Sequence, residues 1–417
     1  MMTAEEVAAI GARAEAMLTE LAAISAEPKR LIRLYLTPEH RRAADLVGAW
    51  MREAGMTITE DALGTVRGHW RPELNKRLLV GSHIDTVIDA GKYDGPLGVV
   101  AGILAVRALA ARNAALPFGI DVLAFGDEEG SRFRTTLSSS AACAGIFDCA
   151  SLAIADADGV TFADALRDYG KDPDGIAAAA YDASNVVGYV EVHIEQGPVL
   201  EAKNLPLGVV SGIIGQSRIG VVARGEAGHA GTVPMHLRRD ALAGVAEFMT
   251  AVETIARNHA GDSMVATVGR IEAFPGATNV IPGRVVFSLD IRSATDAVRE
   301  EAIQEMKAAA VRIAKPRGLY IDFEPAHATR TTGCTPFLQD VMADAIASLG
   351  YQPFRLASGA GHDALSMAKL CPIAMLFVRC RGGISHNPAE FASEADMGLS
   401  VAALVRFIEI LAAKGAA

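Results

Sequence analysis

The sequence predicts an α/β protein, a mixed-sheet domain interrupted by an inserted α+β domain of ferredoxin-like order. Three observations carry this. Short apolar runs at 78–80, 120–125, 186–194 and 373–378 alternate with helical stretches, and each run leads into acids or histidines. That is the pattern of a sheet with its site along the carboxyl edge. Between 212 and 326 the order becomes β-α-β-β-α-β, a split βαβ unit of about one domain's size. After it the first pattern returns, so the expected domains are 1–211 with 327–417, and 212–326.

The elements follow in order. Thr3-Ala-Glu-Glu6 has capping-box spacing, and Val7, Ile10, Leu18, Leu21 and Ile24 recur at helical intervals, so an amphipathic helix opens the chain. A second helix is expected over 38–54 and a strand pair within 56–70. The strand at 78–80 precedes Gly81-Ser-His-Ile-Asp-Thr, a turn around Asp94, and a buried helix over 99–109. The strand at 120–125 ends in Gly126-Asp-Glu-Glu-Gly130, and that at 186–194 leads into Glu195-Gln-Gly-Pro198. In the insert, strands are expected at 216–224, 263–272, 284–291 and 319–324, with helices at 238–258 and 296–315. A helix at 336–349, a strand at 373–378 and a helix at 394–411 complete the chain.

Composition narrows the class. The chain is 51% apolar and 21% charged, ordinary for a globular enzyme. A net charge of −10 with no basic run argues against a nucleic-acid partner. Five cysteines without metal-type spacing fit a reducing cytoplasm, and the N-terminus has no basic region followed by an apolar one. The longest apolar stretch, 97–106, is broken by Arg107, so no membrane span is expected.

The strand ends carry the chemistry. His83 and Asp94 pair an imidazole with a carboxylate, donors that suit zinc or manganese; a loop with a solvated histidine and turn aspartates reads the same way. Asp85, on the same side as His83, is placed to accept its second ring N–H. Glu128 and Glu129 diverge at a strand end, so one can ligate while the other moves protons. His193 and His386 follow two further strands. Each alone is an ordinary structural histidine, but four polar constellations at four strand ends argue for one centre. His83, Asp94, Glu129, His193 and His386 supply five ligands. Two divalent ions sharing Asp94 would each have three protein ligands and room for a water, roughly 3.5–4 Å apart. Manganese is expected first and zinc second.

Gly359-Ala-Gly-His-Asp-Ala364 fits a dinucleotide fingerprint, but no clear strand feeds it and no acid lies about twenty residues on. A loop lining the substrate pocket, with Gly359 and His362 touching substrate, is the better reading. In the insert, His229 (in Gly228-His-Ala-Gly-Thr-Val-Pro234), Asn279 and Arg292 stand out. Arginine binds a carboxylate bidentately, which suits an acidic substrate; surface polarity is the plainer reading of Arg292 alone.

With these pieces placed, nearly the whole chain resembles the amidase, hydantoinase/carbamoylase branch of the dinuclear metallopeptidases related to aminoacylase and carboxypeptidase. The resemblance rests on Gly81-Ser-His-Ile-Asp-Thr, Asp94-Gly, Asp127-Glu-Glu-Gly-Ser-Arg-Phe, Glu191-Val-His-Ile-Glu-Gln-Gly, Gly228-His-Ala-Gly-Thr-Val-Pro, Ser358-Gly-Ala-Gly-His-Asp-Ala and Ile384-Ser-His-Asn-Pro-Ala-Glu. It implies a catalytic domain with an inserted lid that also forms a homodimer, and hydrolysis of N-carbamoyl or ureido groups with release of ammonia and carbon dioxide. It implies one ion on His83, Asp94 and His193, a second on Asp94, Glu129 and His386, and Glu128 as general base. It carries substrate contacts onto Gln196, His229, Asn279 and Arg292, with His229 reaching the partner subunit's site as a catalytic group. Segments 87–95 and 376–386 look most like allantoate amidohydrolases; N-carbamoyl-L-amino acid hydrolases and β-ureidopropionases share most other motifs, and dipeptidases or aminoacylases are more remote. Leu137-Ser-Ser-Ser140 stands where the family usually carries a Gly-Ser pair.

Overall fold

The computed structural model describes residues 2–415. It forms two compact units, one running to Ser211 and resuming at Cys334, the other Gly212–Gly333. The expected end of the insert, 326, falls inside the strand Tyr320–Thr329, which the second unit keeps to its end.

In the first unit the strands are β1 (Thr57–Glu60), β2 (Val66–Trp70), β3 (Arg77–His83), β4 (Gly119–Phe125), β5 (Val186–Ile194), β6 (Leu207–Ile213) and a later strand, Ile373–Val378. They lie side by side in the order β1, β2, β4, β3, β5, Ile373–Val378, β6. The four central strands, β4 through Ile373–Val378, are mutually parallel, and the flanking pairings are antiparallel. Every residue of β3 and β4 is buried, which is why they read as largely apolar runs rather than alternating ones. The helix Pro96–Ala111 packs on β3 and β5, with Ala4–Ala22 and Glu394–Ala413 against it. Its apolar residues from Leu97 to Leu109 are part of one continuous core with Val80, Val190, Leu376 and Leu404. The capping box at Thr3 forms: Glu6 N–H donates to the Thr3 hydroxyl and Thr3 N–H to the Glu6 carboxylate.

The second unit is a four-stranded antiparallel sheet in the order Tyr320–Thr329, Gly215–Arg224, Arg284–Ser293, Val265–Phe274. Helices Ala241–Asn258 and Asp296–Arg317 supply the rest of the ferredoxin-like order. Val285, Phe287, Leu289 and Ile291 alternate inward and meet Phe248 and Met306. The first helix starts at Ala241, three residues later than the sequence pattern suggests, because the Asp240 carboxylate accepts the N–H groups of Leu242 and Ala243 and caps it there.

Several elements escaped the sequence pattern, among them the helices Ser138–Cys143 and Phe162–Asp168 and two strands near the site. β6 reads Leu-Gly-Val-Val-Ser-Gly-Ile, an apolar run diluted by glycine and serine, and it pairs antiparallel with Ile373–Val378. A short strand, Arg355–Ser358, does lead into the Gly359 loop and pairs with β6, contrary to expectation; its four residues carry too little periodicity to be read. No helix among the described residues is long and apolar enough to cross a membrane.

Candidate metal centre

β4, β3, β5 and Ile373–Val378 are neighbours in one parallel array, so their carboxyl ends share an edge. His83 closes β3, Glu128 and Glu129 lie just past β4, His193 is the penultimate residue of β5, and His386 lies on the loop past the fourth strand. Asp94 stands two residues before the Pro96–Ala111 helix. Asp94 Oδ1 lies 3.1 Å from His193 Nε2 and 3.9 Å from His83 Nε2, while Oδ2 lies 3.3 Å from His386 Nε2. Glu129 Oε2 is 3.5 Å from the same His386 nitrogen. Thus the donor atoms of His83, Asp94 and His193 form one group within 4.8 Å, and those of Asp94, Glu129 and His386 a second. Asp94 belongs to both. Glu128 also approaches, its Oε2 3.9 Å from His83 Nε2, and His83, Glu128 and Glu129 form a further such group.

The rings are oriented from behind. His193 Nδ1 faces the Ile194 carbonyl at 2.9 Å, so Nε2 points inward. For His83 the nearer partner of Nδ1 is the backbone carbonyl of Asp85, at 3.1 Å, with the Asp85 carboxylate at 3.5 Å. This modifies the expected role of Asp85. Its carboxylate accepts the N–H groups of Glu128 and Glu129, each at 3.3 Å, and so ties the β3 end to the β4 end. Gly95 makes room for the ring: its φ is +81°, and a Cβ there would sit 2.4 Å from His83. Gly95→Ala is expected to cost about 1–3 kcal/mol in backbone strain and to weaken ion binding. Denaturant unfolding with a metal titration checks this; wild-type values in both would contradict it.

Electrostatics favour a cation. Burial lifts the carboxyls of both Glu128 and Glu129, the latter to about 7, only partly opposed by His83. Burial would lift Asp94 too, but hydrogen bonds from His193 and His386 hold it well below the usual carboxylate range. His386 is raised to about 9, chiefly by its hydrogen bond with Asp94. The donor set of imidazole nitrogens and carboxylate oxygens fits divalent cations. Gln196 adds a buried Oε1 with no hydrogen-bond partner among the described residues.

The other expected residues are placed as follows. Gln196 donates from Nε2 to Asp94 Oδ2 at 2.9 Å and to the Ser385 hydroxyl at 3.1 Å, so it touches the centre itself. His362 is buried beneath it, its ring 4.4 Å from that of His193 and its Nε2 2.7 Å from the Ser358 hydroxyl. Burial holds it well below the usual histidine range. Gly359 is exposed on the loop just before it. In the second unit, Gly228–His229 pairs with Val280–Ile281, and the Asn279 carbonyl accepts the Ala230 N–H at 2.9 Å, bringing His229 and Asn279 together. His229 is exposed, and its Nδ1 accepts the Gly231 N–H at 3.0 Å, so the neutral ring carries its proton on Nε2. Arg292 donates from Nε and Nη2 to Asp290, at 2.8 and 3.1 Å.

Sequence reasoning missed three polar residues around the centre, the buried carboxylates of Glu191 and Glu390 and the half-buried Ser385. Glu191, within β5, takes the Ser82 hydroxyl at 3.0 Å and the Ala364 N–H at 2.9 Å; an acid inside an otherwise apolar strand was its signal. Ser385 and Glu390, beside Asp94, gave none beyond their place in the His386 motif. Leu137 adopts φ 61°, a region that favours glycine, with its N–H held by the Asp127 carbonyl at 2.6 Å.

Comparison with known proteins gives a consistent picture. Residues 79–410 match the family described as peptidase family M20/M25/M40. The chain is 40% identical over 427 residues to an allantoate deiminase of Arabidopsis thaliana, covering 95% of this chain and 81% of that one. It is also 40% identical over 406 residues to an N-carbamoyl-L-amino acid amidohydrolase of Geobacillus stearothermophilus, covering 96% and 98%. Among solved structures, an amidase of the hydantoinase/carbamoylase family from Burkholderia multivorans superposes with a TM-score of 0.89 at 34% identity, over 96% of this chain and 98% of that one.

Proposed function

Because the chain belongs to peptidase family M20/M25/M40, we propose that this C–N hydrolase cleaves a ureido or carbamoyl group, with allantoate as its first substrate. The observation that carries the reading is Asp94, shared by two triads of metal-type donors on one sheet edge. His83, Asp94 and His193 would hold one divalent ion and Asp94, Glu129 and His386 another, manganese before zinc. When bound, such ions polarise the scissile carbonyl and acidify a water.

The chain's own residues do the rest. Glu128, half-buried and with its proton affinity raised by burial, takes a proton from the attacking water and passes it to the departing nitrogen. The C–N bond breaks, the amine leaves, and the carbamate left behind falls apart into ammonia and carbon dioxide. Arg292, steadied by Asp290, is the anchor for a substrate carboxylate. His229, through Nε2–H, and Asn279 stabilise the oxyanion. Assembly as a homodimer belongs to the same proposal, and a monomer mass in sedimentation would remove it.

N-carbamoyl-L-amino acids are the second reading. The segments that rank allantoate first contain Lys92, Arg379 and Arg381, and these are engaged elsewhere. Lys92 pairs with Glu15 at 2.5 Å, Arg379 with Asp396 at 3.0 Å, and Arg381 stacks 4.4 Å over Phe391. Any preference they impose is therefore indirect, and relatives of both kinds stand at 40% identity. Ammonia release from allantoate and from N-carbamoyl-L-amino acids, under one metal, decides. Allantoate is expected to have the higher kcat/KM. A preference of about a hundredfold for a carbamoyl amino acid, roughly 2.7 kcal/mol at the transition state, would reverse the ranking.

A further inference from the structure

A carboxylate shared by two ions must present one oxygen to each, and an aspartate on a turn does not hold that orientation unaided. Asp94 is held from outside its own segment. Its Oδ2 faces the Ser385 hydroxyl at 2.7 Å, Gln196 Nε2 at 2.9 Å and His386 Nε2 at 3.3 Å, while its Oδ1 is directed at His83 and His193. Behind it, the buried Glu390 accepts the backbone N–H groups of Tyr93 and Asp94 on Oε1, at 2.9 and 3.1 Å. Its Oε2 lies 3.0 Å from the same Ser385 hydroxyl. Glu390 thus spans two ligand-bearing segments, the one that ends at Asp94 and the one that carries His386, four residues before it.

A second, independent observation marks this clamp as built in. Gly91 lies against Glu390, and a Cβ there would meet the glutamate's Cβ, Cδ and Oε1 at 2.4 Å. The glycine in Asp89-Ala-Gly-Lys-Tyr-Asp94 is therefore the cradle for a side chain three hundred residues away in the chain. The turn that delivers Glu390 is itself closed by Asn387, whose carbonyl takes the Glu390 N–H at 3.0 Å and whose side chain takes the Ala389 N–H at 2.8 Å.

We propose that Ser385 and Glu390 are positioning residues that fix the bridging orientation of Asp94, and through it the affinity and mutual spacing of the two ions. The proposal rests on the reading of Asp94 as a shared ligand. Partners that orient a metal ligand typically change metal affinity by about 10–100-fold when removed.

The test uses the full chain and Mn²⁺ alone as probe. Equilibrium dialysis measures affinity, electron paramagnetic resonance measures the exchange coupling between paired ions, and thermal melting of the metal-free protein measures any structural cost. Ser385→Ala is expected to lose about tenfold or more in affinity and to lose the coupled signal, while melting like wild type when metal-free. Gly91→Ala and Glu390→Ala are expected to lose affinity and coupling likewise. Glu390→Gln keeps an acceptor for the Tyr93 and Asp94 N–H groups and is expected to restore both. Wild-type affinity and coupling in Ser385→Ala and Gly91→Ala overturn the proposal. So does a Ser385→Ala whose metal-free melting falls along with its affinity, since that marks a merely structural hydroxyl. Wild-type protein that binds no coupled pair of ions overturns the shared-ligand reading itself, an outcome distinct from the others.

Discussion

Removing divalent ions is expected to abolish ureide hydrolysis, and adding back manganese to restore it. Polarisation of the carbonyl and acidification of water supply several kcal/mol of transition-state stabilisation. A loss of about 4 kcal/mol corresponds to about a thousandfold in rate. The ion-free centre has nothing equivalent to offer. Its carboxylates crowd one another, and burial pushes the Glu129 carboxyl up to about 7, a cost that a bound cation would relieve. Chelation followed by ammonia detection, with metal content verified, makes the measurement. Full activity in protein shown to be metal-free would sink the metal-centre reading.

Glu128→Gln is expected to lower kcat by roughly 10²–10⁴-fold while leaving the ions bound. The substitution keeps the shape of the side chain and removes its capacity to take a proton. Glu129→Gln is expected to act the other way, weakening ion binding first, because its Oε2 shares the inner space with His386 Nε2 and Asp94. The two glutamates are adjacent, and both belong to a group of metal-type donors around His83. Metal content and kcat measured on both variants separate the roles. A Glu128→Gln protein that loses an ion, beside a Glu129→Gln protein that keeps both, would interchange them.

Much of this centre was legible in the sequence for a local reason. A parallel strand buried on both faces must read as an apolar run, and polar residues at its end must sit at the sheet edge. His83, Glu128, Glu129 and His193 were therefore visible from their neighbours alone. The alternation of Arg284–Ser293 and the capping box at Thr3 were legible in the same way, since both are patterns of period or spacing within a few residues. β6 was not, because glycine and serine broke its apolar run.

What only the tertiary structure decided are contacts between segments far apart in the chain. Nothing near Asp94 announces that its backbone is held by Glu390, 296 residues away, or that Gly91 exists to admit that side chain. Nothing near Lys92 announces that it answers Glu15 rather than a ligand. Even for Asp85 the sequence indicated the partner but not the atom. The chain turns so that its carbonyl lies nearer the His83 ring, and its carboxylate is left to join two strand ends. The sequence by itself determined which residues could ligate and at which edge they would gather, because burial and alternation are local constraints. The orientation of those ligands depended on hydrogen bonds closed only once distant segments had packed, and that orientation separates a set of ligands from a working centre.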